Sequence, residues 1–193
     1  GTRRFDVSGT APLDLTLYPF AWELPDREMD LLVDAAEGDL ANLELTPWVD
    51  EAEGTLSARL RVTGSPRRPL LEGRAEVEGA TVRPVDRDEV LENVRAAIRF
   101  EGDLVTVEQA TADLGGGTVA AEGTYRLHAG ADQSYALRIT LDQAVAREEG
   151  IYAARVSGAL TLHPTVAKDG RVYPFAEGDL FVHRAEYAGS LET

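Results

Sequence analysis

Apolar and polar residues alternate with period two through most of this chain, and that alternation constrains its fold more than any other feature. Residues 56–62 place Leu56, Ala58, Leu60 and Val62 against Ser57, Arg59 and Arg61. A two-residue repeat puts successive side chains on opposite faces of a strand. Val94, Ala96, Ile98 and Phe100 alternate with Arg95, Ala97, Arg99 and Glu101. Val119, Ala121, Tyr125 and Leu127 share one face, opposite Glu122, Thr124, Arg126 and His128. Tyr135, Leu137, Ile139 and Leu141 follow the same rule, as do Val156, Leu160 and Leu162. Each strand is apolar on one face only, unlike the strands of a parallel α/β sheet, which are buried on both.

Turn signals fall between the strands at Glu101-Gly102-Asp103, Gly115-Gly116-Gly117, Ala129-Gly130, Glu149-Gly150 and Asp169-Gly170. Short turns between successive strands predict an antiparallel meander. Helix is scarce: residues 38–43 suit one turn, and residues 86–93 another, with Asp86 as a cap ahead of Glu89. Residues 20–28 form the least regular stretch.

An internal repeat adds to this. Pro69-Leu-Leu-Glu-Gly73-Arg-Ala75-Glu-Val77 is echoed at Pro174-Phe-Ala-Glu-Gly178-Asp-Leu180-Phe-Val182, an offset of 174 − 69 = 105 residues. In both copies the alternation slips phase before Ala80 or Ala185, as it does when a β-bulge inserts one residue. Each copy follows a strand read as ending in Val-x-Gly, at Val62-Thr63-Gly64 and Val156-Ser157-Gly158. A duplicated bulged unit favours an extended array.

Charge and composition narrow the function classes. With 34 acidic against 19 basic residues the net charge is −15, a sign that repels nucleic acid and anionic headgroups. Acyl chains are indifferent to it. The absence of cysteine removes disulfides and Cys-ligated zinc. No run approaches the roughly 20 apolar residues of a membrane helix. Gly1-Thr2-Arg3-Arg4 lacks the apolar stretch of a signal peptide. Because the sequence stops at Thr193 within patterned sequence, it reads as an excised fragment.

Catalytic constellations are weak. The carboxylate pairs Glu51/Glu53, Glu76/Glu78 and Glu148/Glu149 are expected to be solvated, the first two on polar faces. Glycoside hydrolysis needs two acids converging in a cleft. His128, His163 and His183 are too scattered for a metal site. Gly115–Gly117 lacks the Lys-Ser/Thr of a phosphate loop and opens a strand, so it is a hairpin turn. Tyr18, Phe20, Trp22 and Trp48 keep a carbohydrate-stacking surface open as a rival, although core packing suits them better. No enzymatic activity, cofactor or metal is expected.

The same residues carry a family resemblance. The cadence runs from Val62-Thr63-Gly64 through Pro69-Leu70-Leu71-Glu72-Gly73 to the strand at residues 93–103. The Gly115–Gly117 turn and the segment Gly123–Leu127 complete it. It resembles the periplasmic region of the TamB/AsmA-like family, best over residues 30–130 and more loosely over 134–190. The resemblance implies an elongated, strongly twisted antiparallel sheet folded into an open groove, a β-taco with an apolar interior. Along the chain it suggests an entry segment at 1–29, a first groove unit at 30–130 and a partial second unit at 131–193. It also implies a periplasmic location, in a parent anchored to the inner membrane and working with an outer-membrane TamA-like (Omp85-type) partner.

On pattern alone, the apolar side chains would most simply face a second sheet in a sandwich. The repeat and the family cadence favour an open groove. Its expected lining is Leu56, Leu60, Val62, Ala75, Val77, Val94, Ile98, Phe100, Val105, Val107, Val119, Tyr125, Leu127, Leu137, Ile139, Leu141, Val156, Leu160, Leu162, Leu180 and Val182. Expected guests are lipid acyl chains or the β-strands of outer-membrane proteins. The alternative is a β-sandwich interaction or carbohydrate-binding module. An uncovered apolar strip also leads us to expect that the isolated fragment dimerises.

Overall fold

A computed structural model describes residues 5–17, 20–23, 25–42, 49–85, 89–127, 134–148, 152–166 and 172–187. The chain is all-β. Among the described residues ten strands form one open, unclosed sheet, and helix is confined to a single 3-10 turn, Leu40–Asn42. In chain order the strands are β1 (Phe5–Thr10), β2 (Asp14–Leu17), β3 (Phe20–Glu23), β4 (Met29–Asp39), β5 (Val49–Ser65), β6 (Arg68–Pro84), β7 (Leu91–Gly102), β8 (Leu104–Leu114), β9 (Gly117–Arg126), β10 (Tyr135–Glu148), β11 (Tyr152–Val166) and β12 (Val172–Tyr187). The sheet order is β1-β4-β5-β6-β7-β8-β9-β10-β11-β12, so from β4 onward each strand pairs with the next in sequence. Every neighbouring pair is antiparallel. The hairpin β2–β3 forms a separate two-stranded sheet.

Two local expectations change. Residues 20–28 contain strand β3, which pairs with β2 from Leu17↔Phe20 to Asp14↔Glu23. Residues 91–93 open strand β7 instead of closing a helical turn. Asn93 takes a left-handed φ of 51°, and its side-chain amide donates to Asp113 Oδ2 at 2.7 Å. Asn tolerates that backbone region better than most residues, and here it makes a bulge. Residues 86–88, with the proposed cap Asp86, lie outside the described residues. So do the turn signals Ala129-Gly130, Glu149-Gly150 and Asp169-Gly170, and Trp48.

The alternation slips phase along most of the sheet. Register shifts occur between Ala35 and Gly38, Glu53 and Thr55, Val77 and Ala80, Val107 and Ala110, and Leu141 and Ala144. The slip expected before Ala80 is present. The one before Ala185 is present too, where Val156 faces Val182 but Arg155 faces Arg184. Each extra residue bends its strand and raises the local twist. Burial follows these slips, because Ala35, Ala52, Ala80, Ala112 and Ala144 are buried and all lie at or beside one. Only small side chains fit where a bent strand brings backbones together. A Cβ on Gly54 would stand 2.6 Å from the Cα and Cβ of Ala80. Leu40, Ala52 and Ala80 form a small core, flanked by Val49, Leu56, Val77, Val82 and Val94.

The repeated motifs occupy β6 and β12. Gly73 and Gly178 hold matching positions, with φ of 137° and 154°. A Cβ on either would stand 2.1 Å from Arg59 O or 2.0 Å from Ala159 O, so both sites exclude a side chain. The Val-x-Gly equivalence fails. Gly64 lies at the end of β5 opposite Pro69, whereas Gly158 lies within β11 opposite Leu180, and that strand runs on to Val166.

Candidate functional site

Cross-strand register shows which side chains share a face, because directly paired residues point the same way. One row runs Leu60–Gly73–Phe100–Val105–Tyr125–Tyr135 across β5 to β10. A second runs Ala58–Ala75–Ile98–Val107–Gly123–Leu137–Leu162. A third runs Leu56–Val77–Ala96–Ala110–Ala121–Ile139–Leu160. Val62 faces Leu71, Val94 faces Ala80, Val119 faces Leu141, Val156 faces Val182, and Gly158 lies between Leu141 and Leu180. The alternating residues of β5 to β12 therefore fall on one face of one sheet. Leu127 lies just past β9, where its N–H donates to Asp103 O at 2.9 Å.

Most of these side chains are half-buried. Ala75 is buried, while Tyr125 is 39% exposed, Leu180 47% and Val182 53%. Among the described residues no large side chain is fully buried. Glycines interrupt the rows at Gly73, Gly123, Gly158 and Gly178, each next to a larger residue, so each leaves a dent beside a ridge.

The opposite face is charged. Asp30 holds Arg61 in a two-pronged pair, with Nε at 2.9 Å and Nη2 at 2.7 Å, and Asp34 Oδ2 lies 3.0 Å from Arg59 Nε. The Arg61 guanidinium keeps the Asp30 carboxyl below the usual aspartate range, and Asp30 in turn raises Arg61. Asp26 is lowered as well, chiefly by a hydrogen bond from Ser65 and also by the Arg67 N–H. Arg59, Arg74 and Arg99 stand directly opposite one another on β5, β6 and β7. Three adjacent like charges repel, and acids at the margins offset this: Asp34 beside Arg59, and Glu108 Oε1 3.0 Å from Arg99 Nε and 3.9 Å from Arg74 Nη2. Depressions of about 270–420 Å³ open on this face, lined by such residues as Glu76, Arg95, Glu108, Glu122 and Arg138.

Of the carboxylate pairs, Glu51, Glu53, Glu76 and Glu78 are exposed, and Glu51 pairs with Arg83 at 3.4 Å. Of the histidines, His163 is half-buried and His183 is exposed, and each has a partner. His163 packs against Phe175, its cross-strand partner, with ring centroids 5.3 Å apart and the rings tilted by 56°. His183 Nε2 lies 2.8 Å from both Ser157 Oγ and Gln143 Nε2, while the Gln143 N–H donates to Ser157 Oγ at 2.9 Å. Gln143 has a φ of 52° at the β10 bulge. The sequence carried no signal for this trio, because two bulges on strands 40 residues apart bring it together. Among the described residues no group of three or more His, Asp or Glu could hold a metal ion. His128 lies outside the described residues.

The chain matches no family model, no curated protein and no solved structure.

Proposed function

We propose that this chain is a non-enzymatic periplasmic segment of a TamB-like envelope-spanning protein. It offers a hydrophobic groove to phospholipid acyl chains, or to the β-strands of outer-membrane proteins awaiting assembly. The carrying observation is the set of apolar rows crossing β5 to β12 without interruption by a charged residue, on a sheet where no large described side chain is fully buried. Burial of apolar surface gives about 25 cal/mol per Å², or about 0.8 kcal/mol for each CH₂. A hydrocarbon chain laid along several strands gains several kcal/mol without one hydrogen bond. The ladder of ion pairs opposite keeps the outer surface wet, and the dents at Gly73 and Gly123 give a kinked chain places to sit. In the parent protein the reading implies an inner-membrane anchor and an outer-membrane TamA-like partner.

Native mass spectrometry of protein purified without detergent tests the reading. Phospholipid adducts are expected on the parent chain and lost in Ile98→Asp and Ile139→Asp. A lipid-free chain that also fails to take up phospholipid from vesicles would sink it. The rival, a carbohydrate-binding module, draws on Tyr173, Phe175 and Phe181, which lie exposed on the polar face of β12. Binding of a glycan array lost in Phe181→Ala would favour that module.

A further inference from the structure

Two bulges meet on either side of Ser157, on the polar face of β11. On β10, Leu141 faces Gly158 and Ala144 faces Val156, so Asp142 and Gln143 together stand against Ser157. On β12, Val182 faces Val156 and Arg184 faces Arg155, so His183 is the extra residue. Among the described residues Gln143 and Asn93 alone are non-glycine with a left-handed backbone, and glutamine lacks the tolerance that asparagine has for it. Strain of this kind persists only where the surroundings impose it. Here it aims the Gln143 N–H at Ser157 Oγ, 2.9 Å away. That donor fixes the rest. An amide nitrogen only donates, so His183 Nε2, 2.8 Å from Gln143 Nε2, must accept. The imidazole is therefore neutral, with its proton on Nδ1. Ser157 Oγ already accepts from Gln143, and its own proton goes to the same His183 Nε2 at 2.8 Å. Phe181 meets the imidazole edge-on, with ring centroids 4.7 Å apart.

We propose that Ser157 is a nucleophile with His183 as its base, and that it accepts an acyl group from an activated ester. A hydroxyl within hydrogen-bond reach of an unprotonated imidazole is the arrangement that such a transfer needs. The site goes beyond the groove reading, because it lies on the opposite, polar face and takes a single acyl group without turnover. In the step, Ser157 Oγ attacks the ester carbonyl while its proton passes to His183 Nε2. The bond from Oγ to the acyl carbon forms, and the bond to the leaving oxygen breaks. His183 then returns the proton to that oxygen, which departs as an alcohol or phenol. Arg155 Nη1, 3.4 Å from Gln143 O, brings a positive charge to the same cluster. That charge favours the negative charge that gathers on the carbonyl oxygen in between. Ser57 is the contrast within the chain. It too is half-buried on the polar face, but its hydroxyl donates to Ala36 O at 2.9 Å instead of to an imidazole.

Treating the 193-residue chain with p-nitrophenyl acetate and mapping the acetyl groups by mass spectrometry reads this out. Acetyl is expected on Ser157, at about a hundred times the rate at Ser57. His183→Gln, at an exposed site, should bring Ser157 down to the Ser57 rate with the circular dichroism spectrum unchanged. The parent chain offers the same test without a substitution. Labelling of Ser157 should fall as acid protonates His183, which lies among Asp142, Arg155 and Arg184, while Ser57 stays slow throughout. Ser157 left unacetylated, or acetylated no faster than Ser57, overturns the proposal. So does a rate at Ser157 that neither His183→Gln nor acid lowers.

Discussion

The corner around Ala80 and the strand β12 are built from related sequence, yet they meet solvent in opposite ways. Ala80 follows the first copy of the repeat, lies wholly buried, and packs with Leu40 and Ala52 beneath the 3-10 turn. The second copy places Leu180, Phe181 and Val182 in the open. Both copies contain a bulge and a glycine pressed against a neighbouring carbonyl. The difference comes from position: among the described residues β6 has β5 and β7 on its two sides, and β12 has β11 on one. The same motif therefore leads into a buried corner in one place and lies exposed in the other.

The sharpest test of this contrast is the glycine pair. Gly73→Ala should cost about 3 kcal/mol in a urea melt, because a Cβ there collides with Arg59 O in a backbone region strained for any other residue. Gly178→Ala meets an equal collision, but an edge strand can shift outward, so it should cost clearly less. Equal costs would mean that β12 is held on both sides in solution. Next in size, Ala80→Leu should lose about 1–3 kcal/mol by overpacking. Ile98→Asp, on a half-buried row, should lose roughly 1–3 kcal/mol. A loss well above that would place Ile98 in a closed core and count against a groove. Val182→Asp should fall within about 0.5 kcal/mol under dilute conditions.

The smallest effect is electrostatic. Asp30 and Asp26 have native pKa values below their unfolded ones, so the stability they add is fully present above the unfolded value of about 4. It fades as pH falls through the lower native values. Asp30→Asn should flatten that part of the stability–pH curve, measured by urea midpoints. A parent curve already flat there would remove the Arg61 pair from the account.

Much of the sheet was legible in advance. The alternation in residues 56–62, 94–100 and 135–141 predicted strands β5, β7 and β10, and the turns at Gly102 and Gly115 predicted two hairpins between them. The phase slips before Ala80 and Ala185 were visible because a bulge inserts a residue into a countable pattern. The start of β7 was misread, since a polar run containing Asp86 and Glu89 satisfies a helix-capping pattern as readily as a bulge does. Gly158 was misplaced at a strand end, because Val-x-Gly carries no information about where pairing stops.

By itself, then, the sequence determined which side chains share a strand face, since the two-residue period is local and needs no partner. Tertiary structure alone decided which copy of the repeat is covered, which arginines stand side by side, and how Gln143, Ser157 and His183 meet. Those outcomes depend on register and on the number of neighbouring strands, and both are set between segments distant along the chain.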